Sequence, residues 1–419
     1  MMARPPPPMP SSPAPILERP SGPPPSAGRV LADFGPTYAA NGLVGFVFAA
    51  SGPVAIVLST GSRAGLGQAE LSSWLFGAFF LNGLLTIVLS WRWRMPLVCF
   101  WTIPGTVLVG PALAHGSHAE VLGAFVATGA LIAVLGASGW VRRALAAVPM
   151  PIVMGMVAGV FLRFGLDLVR AVHEDAAIAA PMVAAFVVLS VFPRAGRLLP
   201  PLIGALLAGA AAIALGGRMQ WPADASLALV APTLYLPAFS WVTMLELVVP
   251  LAITVLVVQN GQGFAVLKAA GHEPPVNTVT LACGLASMVT AAVGTVSSCL
   301  TGPTNAIVSS SGERARHYTG AVFVGVLALG FGLYSSAFTG LMLAAPRAFV
   351  AVLAGLAMLR VLQGAFAAAF RERFALGALV TFLVTVADLT LLGIGAPFWG
   401  LVIGLAVAWL LERGDFARP

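Results

Sequence analysis

The sequence predicts an all-α polytopic membrane protein with 14 transmembrane segments, arranged as two inverted repeats of seven. Three observations carry this. Of 419 residues, 59% are hydrophobic and only 9% charged, whereas a soluble domain carries about 25% charged residues. The apolar runs, such as "LIGALLAGAAAIALGG", are apolar on all sides, so the bilayer must be their solvent. Two of them, "CFWTIPGTVLVG" (99–110) and "CLTGPTNAIVSS" (299–310), are interrupted by Pro and Gly at matching places.

Taken in order, residues 1–29 are rich in Pro and Ser and lack the apolar core of a secretory signal, so they read as a disordered tail. A spanning helix needs about 20 apolar residues. Cutting at charges and Gly/Pro clusters gives seven segments starting near 36, 68, 97, 119, 149, 176 and 198, and seven more near 241, 275, 297, 318, 346, 374 and 396. The third and tenth are short and broken. Placing the N-terminus in the cytoplasm puts sixteen of the 22 Lys and Arg inside, four outside (Arg63, Arg170, Arg218 and Arg347) and two within segments (Arg163 and Arg360). Cytoplasmic loops carry this excess of positive charge, and one miscounted segment would destroy it. Both termini, including the tail 413–419, are therefore expected in the cytoplasm.

The halves echo each other at an offset of about 196 to 200 residues: Cys99 with Cys299, Pro104 with Pro303, "MVAGVFLR" with "VLAGLAMLR". Gly155 and Gly159 answer to Ala351 and Gly355, small residues spaced to let helices approach closely. Seven segments per half is an odd number, so the second copy enters the membrane from the opposite side. Secondary transporters use this plan, and paired interrupted segments mark their binding sites.

Proline suits the first turn of a helix. "CFWTI" and "SSCL" can therefore run extended, with helices starting at about Pro104 and Pro303. Extended backbone at membrane depth must be buried in protein or line a cavity, and the two pieces can pair across the symmetry axis. Each helix start carries roughly half a positive charge. Two such ends converging make an anion site without a buried cation, with Thr102, Gly105, Thr106, Thr301, Gly302, Thr304 and Asn305 adding donors. The expected ligand is a small anion, and a carboxylate fits.

Gln259, Asn260 and Gln262 close the eighth segment, where lipid would penalise them. Gln259 and Gln262 share a helix face and are expected to bind substrate, line its path or pair helices. Glu246 and Asp388 are acids in apolar segments and so candidates for carrying a proton, Glu246 the better placed. Arg163 and Arg360 are expected to snorkel to headgroups, and Asn41, near Tyr38, to line the site or pack. The five His residues show no metal-ligand spacing. Three Cys without a CxxC pair argue against a disulfide framework or zinc site. No metal or cofactor is expected. Basic residues scattered in loops exclude a nucleic-acid surface, and the absence of GxxxxGK[ST] excludes an ATP-driven pump. No catalytic acid pair supports a membrane enzyme.

"SWRWRMPLVCFWTIPGTVLVGPAL", "VPMPIVMGMVAGVFLRFG", "QNGQGFAVLKAAGHEPPVN" and "CLTGPTNAIVSSSGERARHYTG" resemble the benzoate/proton symporter family, over residues 30–412. The resemblance implies import of benzoate with protons across a bacterial inner membrane, on the seven-plus-seven fold of uracil/xanthine permeases and anion exchangers. It implies a core domain (30–139 and 236–337) holding substrate between the third and tenth segments, and a gate domain (140–235 and 338–412). Nucleobase permeases of this fold place acids where this chain has Gln259, Asn260, Gln262 and Gly302 to Asn305. Their absence here disfavours a nucleobase and suits an anion, with sulfate- or bicarbonate-like cargo as the alternative. Phe100, Trp101 and Phe264 favour an aromatic guest. The oligomeric state stays open, a homodimer being one arrangement the sequence allows.

Overall fold

The structure, a computed structural model, describes residues 16–141, 149–192, 194, 196, 199–218, 229–371, 373–389, 391–392 and 395–416. The first fifteen residues of the Pro-rich tail, residues 417–419, and Arg142, Arg143, Arg197 and Trp221 lie outside the described residues.

In the first half, α1 (Ala27–Asp33) precedes α2 (Pro36–Ala50) and α3 (Gly52–Arg63), which meet at a break on Ser51. Next, α4 (Gln68–Phe76) and α5 (Asn82–Trp93) form one rod through a π turn, Gly77–Leu81. Then come β1 (Cys99–Trp101), α6 (Ile103–His115), α7 (His118–Ser138), α8 (Met150–Glu174), α9 (Ala176–Val191) and α10 (Pro201–Leu215). The second half opens with α11 (Trp241–Ile253), a π turn (Thr254–Asn260) and α12 (Gly261–Ala269). It continues with α13 (Val276–Ala291), β2 (Ser298–Leu300), α14 (Gly302–Val308), α15 (His317–Leu333) and α16 (Ser335–Ala344). It closes with α17 (Arg347–Ala369), α18 (Ala375–Ala387), α19 (Ala396–Leu411) and α20 (Arg413–Phe416). Among the described residues seven helical rods are long and apolar enough to cross a membrane, and seven further apolar helices have 10–17 residues. All fourteen expected segment starts coincide, to within a few residues, with the start of a helix or of a strand–helix unit.

The helices sort into two packing groups. One interleaves α2, α5, α6 and α7 with α11, α13 and α15; its buried centre includes Trp74, Phe79, Phe100, Trp101, Phe125 and Leu251. The other interleaves α8, α9 and α10 with α17, α18 and α19, around Met156, Phe161, Phe164, Phe349 and Leu353. Each group takes helices from both halves, as an inverted repeat requires. The small-residue pairs act as expected: a Cβ on Gly155 would lie 2.4 Å from the Ala378 carbonyl, and one on Gly355 would lie 2.6 Å from Leu168 Cβ.

The tail differs from its expectation where it is described. Residues 16–26 run as a strap. The Glu18 carboxylate accepts the backbone N–H groups of Asn277 and Thr278 at 3.1 and 2.9 Å, capping the N-terminus of α13. Arg92 and Trp91 donate to the carbonyls of Gly22 and Pro25. The Pro content that reads as disorder serves equally well for an extended strand with few N–H groups to satisfy.

Candidate functional site

Cys99–Trp101 and Ser298–Leu300 pair antiparallel, with Phe100 opposite Cys299 at the centre. Thr102 N donates to Ser297 O at 3.0 Å and Thr301 N to Val98 O at 3.1 Å, extending the pair by one bond at each end. The strands are fully buried, a setting in which non-helical backbone is tolerated at membrane depth. Hydroxyls from neighbouring helices fasten them. Thr86 accepts from Cys99 N and donates to Cys99 O, both at 2.9 Å. Ser287 accepts from Ser298 N at 2.9 Å. Sequence reasoning missed both, although each is an isolated hydroxyl in an apolar run, about 200 residues from its counterpart.

Helices start immediately after the strands, with Pro104 and Pro303 in their first turns as expected. The two starts then diverge. The Thr102 hydroxyl accepts Gly105 N at 3.1 Å, an internal cap, and donates to Thr254 Oγ1 at 3.1 Å. Thr106 donates its hydroxyl back to Thr102 O at 3.0 Å. At α14, Thr301 makes no side-chain cap; its hydroxyl donates to Val98 O at 3.3 Å. Proline has no N–H, so the orphan donors at that start are the Gly302 and Thr304 amides.

A pocket opens against this second start, lined by Phe48, Ala49, Pro53, Phe100, Trp101, Ile103, Gln259, Thr301, Pro303 and Thr304. Its volume of about 20 Å³ holds about one water, too little for an aromatic ring. Among the described residues the buried indole N–H of Trp101 has no partner, and the side chains of Gln259 and Thr304 make no hydrogen bond.

Of the expected site residues, Gln259, Thr301, Pro303 and Thr304 line this pocket. Asn305 and Asn260 sit behind it as clamps. Asn305 Oδ1 accepts Val98 N at 3.0 Å while its Nδ2 donates to the carbonyls of Val98 and Thr301 at 3.0 and 2.6 Å. Asn260 Oδ1 accepts Leu300 N at 2.7 Å. Thr102, Pro104, Gly105 and Thr106 build the start of α6 without lining the pocket. The shared face expected for Gln259 and Gln262 is altered by the π turn that ends at Asn260. Gln259 is buried at the pocket, whereas Gln262 is exposed and its side chain lies over Gly302. Phe264 packs elsewhere, with Leu89, Leu97 and Cys99. Phe48, Ala49 and Pro53 were missed; their signal is "ASGPV", a third Gly–Pro interruption, which breaks the first segment at Ser51.

The two acids separate clearly. Asp388 was expected within an apolar segment. It lies one residue past the end of α18, half exposed, and pairs with Arg163 at 3.1 Å. That pairing also replaces the free snorkelling expected of Arg163, while Arg360 donates to Gln363 Oε1 at 3.0 Å. Glu246 is buried on α11, with Oε1 3.8 Å from His115 Nδ1. Asn41 bonds Ser311, and Tyr38 accepts Glu313 N, so neither lines the pocket. His272 and His317 pair at 3.1 Å. Burial, with His317 and Arg314 adding to it, pushes the His272 imidazole down to about 4. Among the described residues no cluster of three metal-ligating side chains occurs.

Two inverted repeats that cross at paired strands, with a closed polar–aromatic pocket at the crossing, define a membrane transporter. The comparisons make it particular. The pattern of the benzoate membrane transport protein family, BenE, matches residues 32–410, and the chain belongs to that family. It is 32% identical over 367 residues to the inner membrane protein YdcO of Escherichia coli, covering 86% of this chain and 91% of that one. It is 27% identical over 377 residues to the benzoate membrane transport protein of Acinetobacter baylyi, covering 89% and 94%. Among solved structures, the transmembrane domain of the cyanobacterial bicarbonate transporter BicA superposes with a TM-score of 0.60 at 15% identity, over 91% of this chain and 98% of that one. SLC26A9 superposes with a TM-score of 0.61 at 15% identity, over 90% and 65%. At such identities the likeness shows the fold.

Proposed function

We propose that the chain imports a small aromatic carboxylate, benzoate first among them, together with protons across a bacterial inner membrane, with both termini cytoplasmic. The observation that carries this is the pocket at the start of α14. Its walls are the rings of Phe48, Phe100 and Trp101, and its polar edge is Gln259, Thr301 and Thr304 beside uncapped backbone donors. A ring against aromatic walls and a carboxylate on amide and hydroxyl donors use both halves of that surface. No acid lines the pocket to repel an anion. Membership of the BenE family and likeness to a benzoate transporter support the same cargo.

Transport proceeds by alternating access. The packing group that holds the pocket acts as the core and the other as the gate. Their relative motion widens the closed site to one side and then the other. Glu246, buried where Asp388 is exposed and paired, carries the coupling proton.

The test is uptake of radiolabelled benzoate into proteoliposomes under an inward proton gradient, with unlabelled uracil, sulfate and bicarbonate as competitors. Gradient-driven accumulation competed only by unlabelled benzoate is expected. No accumulation, or competition by uracil or inorganic anions alone, overturns the cargo.

A further inference from the structure

Glu246 does not stand alone. Its Oε1 is 3.8 Å from Nδ1 of His115, the last residue of α6. The backbone of Gly395 lies against the same carboxylate. Gly395 is the N-cap of α19, and a Cβ there would lie 2.3 Å from Glu246 Oε1. Only glycine lets the carboxylate come so close to the helix start. The carboxylate therefore rests at the positive end of α19, and the imidazole at the negative end of α6. Helices α6 and α11 belong to the packing group that holds the pocket, whereas α19 belongs to the other. Helix α6 also reaches back about 20 Å to the strand pair at its own N-terminus.

We propose that Glu246, His115 and Gly395 form a proton-released latch across the outer seam between the two packing groups. Ionised Glu246 holds the start of α19 against the ends of α6 and α11. A proton from the outer water forms an O–H bond on the carboxylate, removes its charge and weakens both contacts. The core then moves past the gate and carries the proton with it. No other bond is made or broken. Among the described residues, the other titratable and charged groups near this seam are His118 and Glu120 of α7, together with Arg163, Asp388 and Arg170, which line a cavity with Pro111 of α6 and Pro397 of α19; Arg163 is paired with Asp388 and Arg170 with Asp167. His118 meets Tyr235 edge-on, with ring centroids 4.8 Å apart. Glu120 is committed to the N–H and hydroxyl of Ser117 at 2.8 and 2.9 Å. The first turn of α19 carries no charged side chain.

The latch rests on the proton-coupled reading above, and the experiment separates the two. Benzoate counterflow is measured in proteoliposomes at equal pH on both sides, from acidic to alkaline, with protein-free liposomes setting the background from diffusion of the neutral acid. Wild-type counterflow rises as pH falls. In E246Q, the side chain closest in shape to the protonated acid, the profile is flat. In H115Q the midpoint moves away from its wild-type value, because the ring nitrogen 3.8 Å from the carboxylate is gone. Size-exclusion profiles establish that the variants are folded. If E246Q does not fold, H115Q and G395A, which pushes a methyl group at the carboxylate, must each still displace the wild-type profile. A wild-type profile without pH dependence, or one that E246Q or H115Q leaves in place, overturns the latch. If counterflow depends on pH through Glu246 yet a proton gradient drives no accumulation, the latch stands and the symport reading fails.

Discussion

The third-segment break and the tenth-segment break share one plan and differ in one finish. Each has a three-residue strand, a threonine N-cap and a proline in the first turn, and the strands pair with each other. In the first, Thr102 turns its hydroxyl onto Gly105 N, so one of the orphan donors of that helix start is satisfied. In the second, Thr301 turns its hydroxyl onto Val98 O, and the helix start is left open beside the pocket. Symmetry thus places two helix starts at one locus, and one hydroxyl rotamer decides which of them keeps more uncapped donors. The sequence suggested an anion cradled equally by both ends. The geometry instead caps one donor at the first end and leaves the second end uncapped beside the pocket.

The largest effect is expected from Asn305→Ala. It removes the acceptor of Val98 N and one of three donors to Val98 O, leaving the buried Val98 N–H unpaired at about 1–3 kcal/mol. Thermal unfolding should shift well down and uptake should vanish. Stability unchanged from wild type would make Asn305 a ligand contact instead of a clamp.

Next comes Thr304→Val, which keeps the shape of the pocket wall and removes a hydroxyl. The KM for benzoate uptake should rise roughly tenfold, the equivalent of about 1.4 kcal/mol, with melting little changed. Its partner in the comparison is Thr106→Val. The Thr106 hydroxyl is spent on Thr102 O, so KM should change less than about twofold, in line with a hydrogen bond made only to the helix itself. Equal KM effects in the two variants would break the asymmetry.

The smallest effect is expected from Thr102→Val. Losing this cap should cost about 1 kcal/mol of stability, visible as a small drop in melting temperature, while KM for benzoate stays at the wild-type value. A marked rise in KM would show that the first helix start also serves the ligand.

Much of the fold was legible in the sequence because the bilayer enforces it. Apolar length, loop charge and the Pro–Gly interruptions each report on a single local requirement, and they located the segments, the inversion and the pairing of residues 99–101 with 298–300. The site was legible only as a neighbourhood. Gln259 and Asn260 are adjacent amides in the sequence. The π turn sends the first to the pocket and the second to Leu300 N. Glu246 and Asp388 are both acids beside apolar runs, yet one is buried and the other paired with Arg163.

Sequence by itself determined where the chain must cross, where it must break and that the breaks can meet. Those outcomes follow from hydration and backbone hydrogen bonding, which act on each segment alone. Only the tertiary structure decided which polar groups are left over for a ligand. That depends on how many donors and acceptors converge on each buried group, a sum over helices distant in the chain.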